Sequence, residues 1–365
     1  MNIRQVIKES FLAMTKSTDR ERIRNGRNHF EDKYLTYGAF PDISDNELKQ
    51  YREIWPMWNI EKRDLTWARI CKQIHGFSPF FIGNWHTYLL RQALNPYPQL
   101  SSFENKALCD IYFPSIPFPK PYVRRINDIF YNAEMDSVSL SDAVDLLVSS
   151  GQYVIKPAIG SLKGQGVEVL DLRQQSKSPK DVVLDSFHKQ KGDFICQEVL
   201  IQHPNISAFN PTSLNCFRVT SLYVGGKYDS SAMLKIGKRG SKVDNWFTSY
   251  LCGISKDGYL FKYAYDNHLK SVTESDNGIV LKDFKIPFYE VLISSIERFH
   301  KLYFPHCGII GWDVIVEPNG ELRVIEANLT VPGIVGEQLA SGDFIRPLHD
   351  AICDRLIRPK ESIYD

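Results

Sequence analysis

Asp313, Glu326 and Asn328 are three oxygen donors whose spacing suits a divalent cation. Asp313 follows Gly311-Trp312 and opens the apolar run Val314–Val316, while Glu326 and Asn328 close the run Leu322–Asn328. Pro318-Asn319-Gly320 between them reads as a turn. The two runs therefore form a hairpin, with Asp313 and Glu326 on adjacent antiparallel strands. Glu326 and Asn328 are two residues apart and share a sheet face. Mg²⁺ takes carboxylate and amide oxygens while keeping waters and phosphates, and acids inside apolar strands are costly without a cation. The competing reading is a surface hairpin with acids on its wet face; the apolar flanks weigh against it.

A second pattern points at phosphate. Gln152–Lys156 is a short β-rich run that enters a loop holding Gly160, Ser161, Gly164, Gln165 and Gly166. Glycine lets backbone N–H groups approach phosphate oxygens, and Lys156 places a positive charge beside them. No Walker-type Gly-Lys-Ser or Gly-Lys-Thr occurs, and glycine-rich hairpin loops also occur without any ligand. Arg218 lies between Phe217 and Val219, where a charge is costly unless paired. Lys235, Lys238 and Arg239, followed by Asp244-Asn245, form a further basic group. Beside a phosphate site it would bind an acceptor carboxylate or offset phosphoryl charge; a solvent-facing loop explains it equally. Thr330 to Gly333 follow the proposed metal strand and would line an acceptor site through their backbone.

Several elements must position these groups. Residues 1 to about 100 are poor in glycine and carry apolar residues at helical spacing over 45–59 and 62–74. Asp45 is placed to cap a helix starting near Asn46. The basic residues Arg4, Lys8, Lys16, Arg20, Arg22, Arg24 and Arg27 read as a solvated helix face. Asn95-Pro96-Tyr97-Pro98 breaks the pattern, a helix restarts near Ser102, and Pro114, Pro117, Pro119 and Pro121 mark an irregular connection. From about residue 150 strands dominate: 152–157, 166–172, 194–200, 216–224 and 231–236, then a hairpin over 250–265 about Lys256-Asp257-Gly258. Residues 287–303 and 343–357 have helical character. Helices mixed with antiparallel hairpins make the fold α+β rather than a doubly wound parallel sheet.

Composition narrows the function classes. The 365 residues are 43% hydrophobic and 24% charged, which excludes a disordered chain or a coiled-coil rod. Lys plus Arg number 44 against 43 Asp plus Glu, so no global basic field for nucleic acid exists. Seven widely spaced cysteines, without Cys-x-x-Cys, read as reduced buried thiols. The N-terminus has no apolar signal region, and no run approaches a membrane span. A cytoplasmic protein is expected, with peripheral membrane contact through the basic N-terminus left open.

In chain order, Lys106, Lys156 with its loop, Gln197-Glu198-Val199-Leu200, Arg218, Asp313, Glu326 and Asn328 resemble an ATP-grasp enzyme. Within that superfamily the chain is most similar to the sugar-transfer-associated ATP-grasp family. The resemblance rests on Gln197–Pro204, Ser213–Thr220, Gly311-Trp312-Asp313 and Ile325–Asn328, and covers roughly residues 95 to 350. It implies two α+β subdomains that clamp ATP, here 96–200 and 201–365, preceded by a helical region 1–95. Many ATP-grasp ligases begin instead with a Rossmann-like substrate domain, so acceptor specificity does not carry over.

The resemblance also implies roles. Lys106 and Lys156 would bind phosphates, Lys156 also adenine, and residues 160–166 would close over the phosphates. Gln197 to Leu200, through the backbone of Glu198 and Leu200, would meet the adenine edge, and His203 would approach the ribose. Asp313, Glu326 and Asn328 would hold Mg²⁺. Arg218 would face the transferred phosphate, with Lys235 and Arg239 as further catalytic cations and Asn245, Thr330 and Gly333 toward the acceptor. Without the resemblance Lys106 reads as a solvated lysine, His203 as structural or exposed, and His300 as packed or surface. The implied reaction is ATP- and Mg²⁺-dependent joining of a carboxylate to an amine through an acyl phosphate, in polysaccharide or cell-envelope biosynthesis. The acceptor would be a small molecule or sugar-linked. A sugar kinase on the same fold is the alternative, and a nucleotide-binding partner of a glycosyltransferase the non-enzymatic one.

Overall fold

The computed structural model describes residues 17–160, 165–241 and 246–357. Among the described residues four α-helices come first: α1 (Ser17–Asp32), α2 (Asp45–Ile54), α3 (Thr66–His75) and α4 (Asn84–Leu94). Helix α2 starts one residue earlier than expected, because Ser44 rather than Asp45 caps it. Ser44 Oγ accepts from Glu47 N (3.2 Å) and Ser44 N donates to Glu47 Oε2 (2.8 Å), a reciprocal box that satisfies two orphan donors. Helix α4 stops at Asn95, whose amide donates to Ile309 O and Leu329 O (both 2.7 Å) and accepts from Gly308 N (2.9 Å). The helix expected from Ser102 is only two single turns, Leu100–Phe103 and Cys109–Tyr112.

The first sheet comprises β1 (Pro121–Ile126), β2 (Ile129–Tyr131), β3 (Ser137–Val138), β4 (Gln152–Pro157), β5 (Glu168–Asp171) and β6 (Phe194–Gln197). Its order is β3-β2-β1-β6-β4-β5. Helices α5 (Leu140–Ser150) and α6 (Pro179–Lys189) pack on it. Strands thus begin well before residue 150. The charged pair Arg124-Arg125 masks β1 in the sequence, yet Arg124 is fully buried and paired with Asp110.

The second sheet comprises β7 (Cys216–Val224), β8 (Lys227–Gly237), β9 (Ser249–Ile254), β10 (Leu260–Tyr265), β11 (Ser271–Val272), β12 (Ile309–Val316) and β13 (Leu322–Asn328). Its order is β11-β10-β9-β8-β7-β12-β13. Every strand pair described in both sheets is antiparallel. Helix α7 (Tyr289–Tyr303) covers one face, and the hairpin β12–β13 ends within a residue of expectation. On α7, His300 is buried between Ser221 Oγ (2.7 Å) and Cys307 O (2.9 Å).

The C-terminal helix begins at His349 rather than 343, as α9 (His349–Ile357), and an unforeseen α8 (Ile334–Ser341) precedes it. These two helices and α1–α4 share one core, in which Trp55, Trp67 and Leu90 pack with Leu222, Ile309, Leu339 and Ile352. Trp67 Nε1 donates to Val335 O (3.0 Å), and the Gln338 amide makes both hydrogen bonds to the Ile82 backbone (2.8 and 3.0 Å). The helical region is thereby bound to the second sheet rather than tethered beside it. All seven cysteines are free thiols, six of them buried. Among the described residues no helix is long and apolar enough to cross a membrane.

Candidate active site

Strand register assembles the charged centre. Asp313 of β12 pairs directly with Glu326 of β13 on one side and with Arg218 of β7 on the other. The register of β13 shifts between Asp313 and Val314, and this bulge at Ile325 changes which side chains face inward. Glu326 and Asn328 then line a cavity while Ala327 is buried in the sheet. Lys235 of β8 completes the row. The first sheet faces it across the cavity with Lys156 of β4. Lys106 enters from the turn between the two single-turn helices, its N–H donating to Ala158 O (2.9 Å).

The carboxylates are saturated by cations. Arg218 grips Asp313 with two bonds, Nε to Oδ1 (2.9 Å) and Nη2 to Oδ2 (2.8 Å). Lys235 Nζ lies 2.9 Å from Oδ1, and Asn328 Nδ2 donates to Oδ2 (3.3 Å). Burial pushes the Asp313 carboxyl up, but Arg218 and Lys235 outweigh it and hold it well below the usual carboxylate range. Burial opposes the charge on Arg218 too, and Asp313 more than restores it. Lys106 Nζ lies 3.1 Å from Glu326 Oε2, so Lys106 is not a solvated lysine. Lys156 differs: burial, with Lys106 adding to it and Glu326 opposing, lowers its pKa to about 8. Among the described residues it has no ion pair.

Four cations thus surround two carboxylates in a buried setting. That surplus calls for a polyanion. The donor chemistry also fits Mg²⁺, with carboxylate oxygens from Asp313 and Glu326 and the Asn328 carboxamide oxygen. Both Asp313 oxygens already receive two donors each. Among the described residues no group of three or more His, Cys, Asp or Glu is placed to hold a metal ion.

The cavity measures about 870 Å³ and reaches from the first sheet to the N-terminal helices. Gln197, Glu198, Val199 and Leu200 line it where β6 ends. Glu198 N–H is spent on Lys120 O (2.9 Å), but the Glu198 carbonyl and Leu200 N–H make no hydrogen bond among the described residues. Gly333 also lines it at φ +84°, and a Cβ there would come within 2.9 Å of Arg218 Nη1, so only glycine fits. Arg218 Nη1 in turn donates to Pro332 O (3.1 Å).

The structure does not bring every expected residue here. His203 lies outside the lining; its Nδ1 accepts from Asn205 N (3.2 Å), capping the turn Pro204–Ser207. Arg239 is held away by Asp276, through its backbone N (2.7 Å) and Nη2 (2.6 Å). Thr330 does not line the cavity. Its N–H and Oγ1 both donate to Glu104 (2.8 Å each), a carboxylate that sequence reasoning passed over and that pins the loop after β13. Gly160, Gln165 and Gly166 do not line the cavity either; Ser161, Gly164 and Asn245 lie outside the described residues.

The basic N-terminal face is not wholly solvated. Arg24 is buried on Asp64, and Arg27 faces the cavity with Arg91 and Tyr88 of α4. Only the placement of α1 against α4 reveals this wall.

Residues 86–354 match the family described as sugar-transfer associated ATP-grasp. The chain belongs to that family. The ATP-grasp assignment and the α+β fold behind a helical N-terminal region stand as expected. The match begins inside α4, so α1–α3 precede it. The ATP-grasp fold is also similar to solved structures at 13% identity. One is ATP-grasp ligase PsnB complexed with minimal precursor, covering 72% of this chain and 63% of that one at TM-score 0.39. Another is D-alanyl-alanine synthetase A from Vibrio cholerae, with 71% and 67% covered at TM-score 0.41. A third is VanG D-Ala:D-Ser ligase from Enterococcus faecalis, with 73% and 61% covered at TM-score 0.40. The chain spans less than two thirds of the PsnB and VanG chains. No curated protein matches it.

Proposed function

We propose that this ATP-grasp protein is an ATP- and Mg²⁺-dependent ligase joining a carboxylate to an amine through an acyl phosphate. The observation that carries the reading is the surplus of buried cations, Lys106, Lys156, Arg218 and Lys235, around Asp313 and Glu326. The unspent Glu198 carbonyl and Leu200 N–H suit the amine and ring nitrogen of an adenine edge. Lys156 and Lys106 then reach the phosphates, while Arg218 and Lys235 face the transferred group.

Asp313, Glu326 and Asn328 would hold Mg²⁺, which would supply positive charge to offset that of the phosphates. Arg218 and Lys235 lower the cost of charge gathering as the acceptor carboxylate oxygen attacks the γ-phosphorus and the bond to ADP breaks. The amine then attacks the acyl carbon and phosphate leaves. Positioning and fixed charge suffice, without a nucleophilic side chain.

We further propose that 96–200 and 201–365 act as the two clamping subdomains and 1–95 as the helical region before them. A cytoplasmic role in polysaccharide or cell-envelope biosynthesis, on a small or sugar-linked acceptor, completes the reading. ³¹P NMR of protein, Mg²⁺ and ATP against uronic acids, sugar nucleotides and amino acids tests it. ADP and free phosphate appearing only with both carboxylate and amine is the expected result. A new phosphoester signal would make the protein a kinase. Glu326→Gln should abolish turnover with the fold intact; full activity in that variant would remove Glu326 from the metal site.

A further inference from the structure

The cavity has a second charged wall that the phosphate reading leaves unused. Arg27 of α1 and Arg91 of α4 are both half-buried and both line it. Their guanidinium carbons lie 4.0 and 5.4 Å from the centre of the Tyr88 ring, so one aromatic ring orders both side chains. Neither side chain makes a hydrogen bond or ion pair with any described residue, and Arg27 Nε is buried with no hydrogen-bond partner among them.

Other buried or half-buried arginines among the described residues are paired. Arg24, Arg69, Arg124, Arg218 and Arg323 are likewise buried or half-buried, and each meets a carboxylate. Two unpaired guanidiniums beside each other repel and are poorly hydrated. Burial is the largest influence on both and opposes the charge; Arg91 adds to it at Arg27, while Tyr88, and at Arg91 the more distant Glu104, oppose it only in part. A fold keeps such a pair at little benefit to itself, whereas a planar fork suits a carboxylate or phosphate. The wall around them is largely aromatic: Phe30, Tyr34 and Trp246 also line the cavity, with the Tyr34 and Trp246 rings stacked at 5.8 Å, and burial pushes the Glu31 carboxyl in that lining toward its uncharged form.

Resting on the ligase reading, we propose that Arg27 and Arg91 form an oxyanion subsite for the acceptor. They hold a second anionic group, at the far end of the acceptor from the carboxylate that is activated near Arg218 and Lys235. The body between the two anions lies against the aromatic wall. Acceptor selection then belongs to the helical region, and the favoured substrate is at least dianionic.

The test is calorimetric titration of inorganic phosphate and of malonate into the full chain saturated with Mg²⁺ and AMPPNP, which occupies the phosphate centre. The expected result is saturable, salt-sensitive binding of at least one probe. In the double variant Arg27→Gln/Arg91→Gln that binding should weaken by at least about tenfold, with AMPPNP affinity unchanged. Retained AMPPNP affinity certifies the fold of the variant, and each single substitution is read in the same way if the double variant fails to fold. A phosphate preference identifies a phosphorylated acceptor, and a malonate preference a second carboxylate. No saturable binding of either probe, or equal binding to wild type and variants, overturns the proposal. Should the wild type fail to bind AMPPNP, the ligase reading falls; the probes titrated onto the free protein, with and without the two arginines, then decide the subsite separately.

Discussion

The two walls of the cavity carry the same kind of charge in opposite states. On the second sheet Arg218 and Lys235 are locked on Asp313, with Lys106 on Glu326. On the helices Arg27 and Arg91 share the Tyr88 ring and make no ion pair among the described residues. The difference teaches where the chain balances its own charge and where it leaves the balance to a ligand. A pair buried on both sides is structural until an anion competes for it. An unpaired pair contributes little to the fold, and its value lies in what it holds.

Substitutions should separate the walls. The largest effect falls on the paired wall: Asp313→Ala strands two buried cations and should cost about 3–5 kcal/mol of stability by urea denaturation. A loss under 1 kcal/mol would mean that water or a moving loop already solvates that centre. Next, Lys156→Ala should weaken nucleotide binding by ~2–3 kcal/mol in calorimetry, the worth of charge-assisted bonds; unchanged affinity would strip Lys156 of its phosphate role.

The third concerns pH. Lys156 titrates near 8 in the free protein, below its ordinary 10.5. Bound phosphate favours the charged form, so nucleotide affinity should be greatest below about pH 8 and fall as pH rises through that value. The free protein behaves oppositely: its unfolded state holds that proton up to the ordinary value, so stability rises from about pH 8 towards 10.5. Lys156→Arg should flatten the affinity profile, and a profile unchanged in that variant would assign the titration elsewhere. The smallest effect is on the unpaired wall. Arg91→Gln should shift stability by no more than ~0.5 kcal/mol, and a loss like that of Asp313→Ala would erase the contrast.

The hairpin carrying Asp313 and Glu326 was legible because the Pro318-Asn319-Gly320 turn and the apolar runs set its register locally. The bulge at Ile325 was not, yet it turns Glu326 and Asn328 to the cavity. Strand β1 hid behind two arginines, since the pairing of Arg124 with Asp110 depends on a helical turn folding back. His203 and Arg239 carried the right chemistry, but Asn205 and Asp276 hold them elsewhere. No pattern along the chain encodes the meeting of Arg27 with Arg91; it follows from how two helices pack.

The bond from Trp67 to Val335 and the amide pair of Gln338 with Ile82 also set a timetable for synthesis. Each joins residues more than 250 positions apart. A ribosome adding about 5–20 residues per second needs on the order of tens of seconds to span that interval. Throughout it Trp55, Trp67 and Leu90 have no α8 or α9 to cover them. Nascent chains of this protein should therefore depend on holding factors until α9 has emerged, and the helices made first are the last to be sealed.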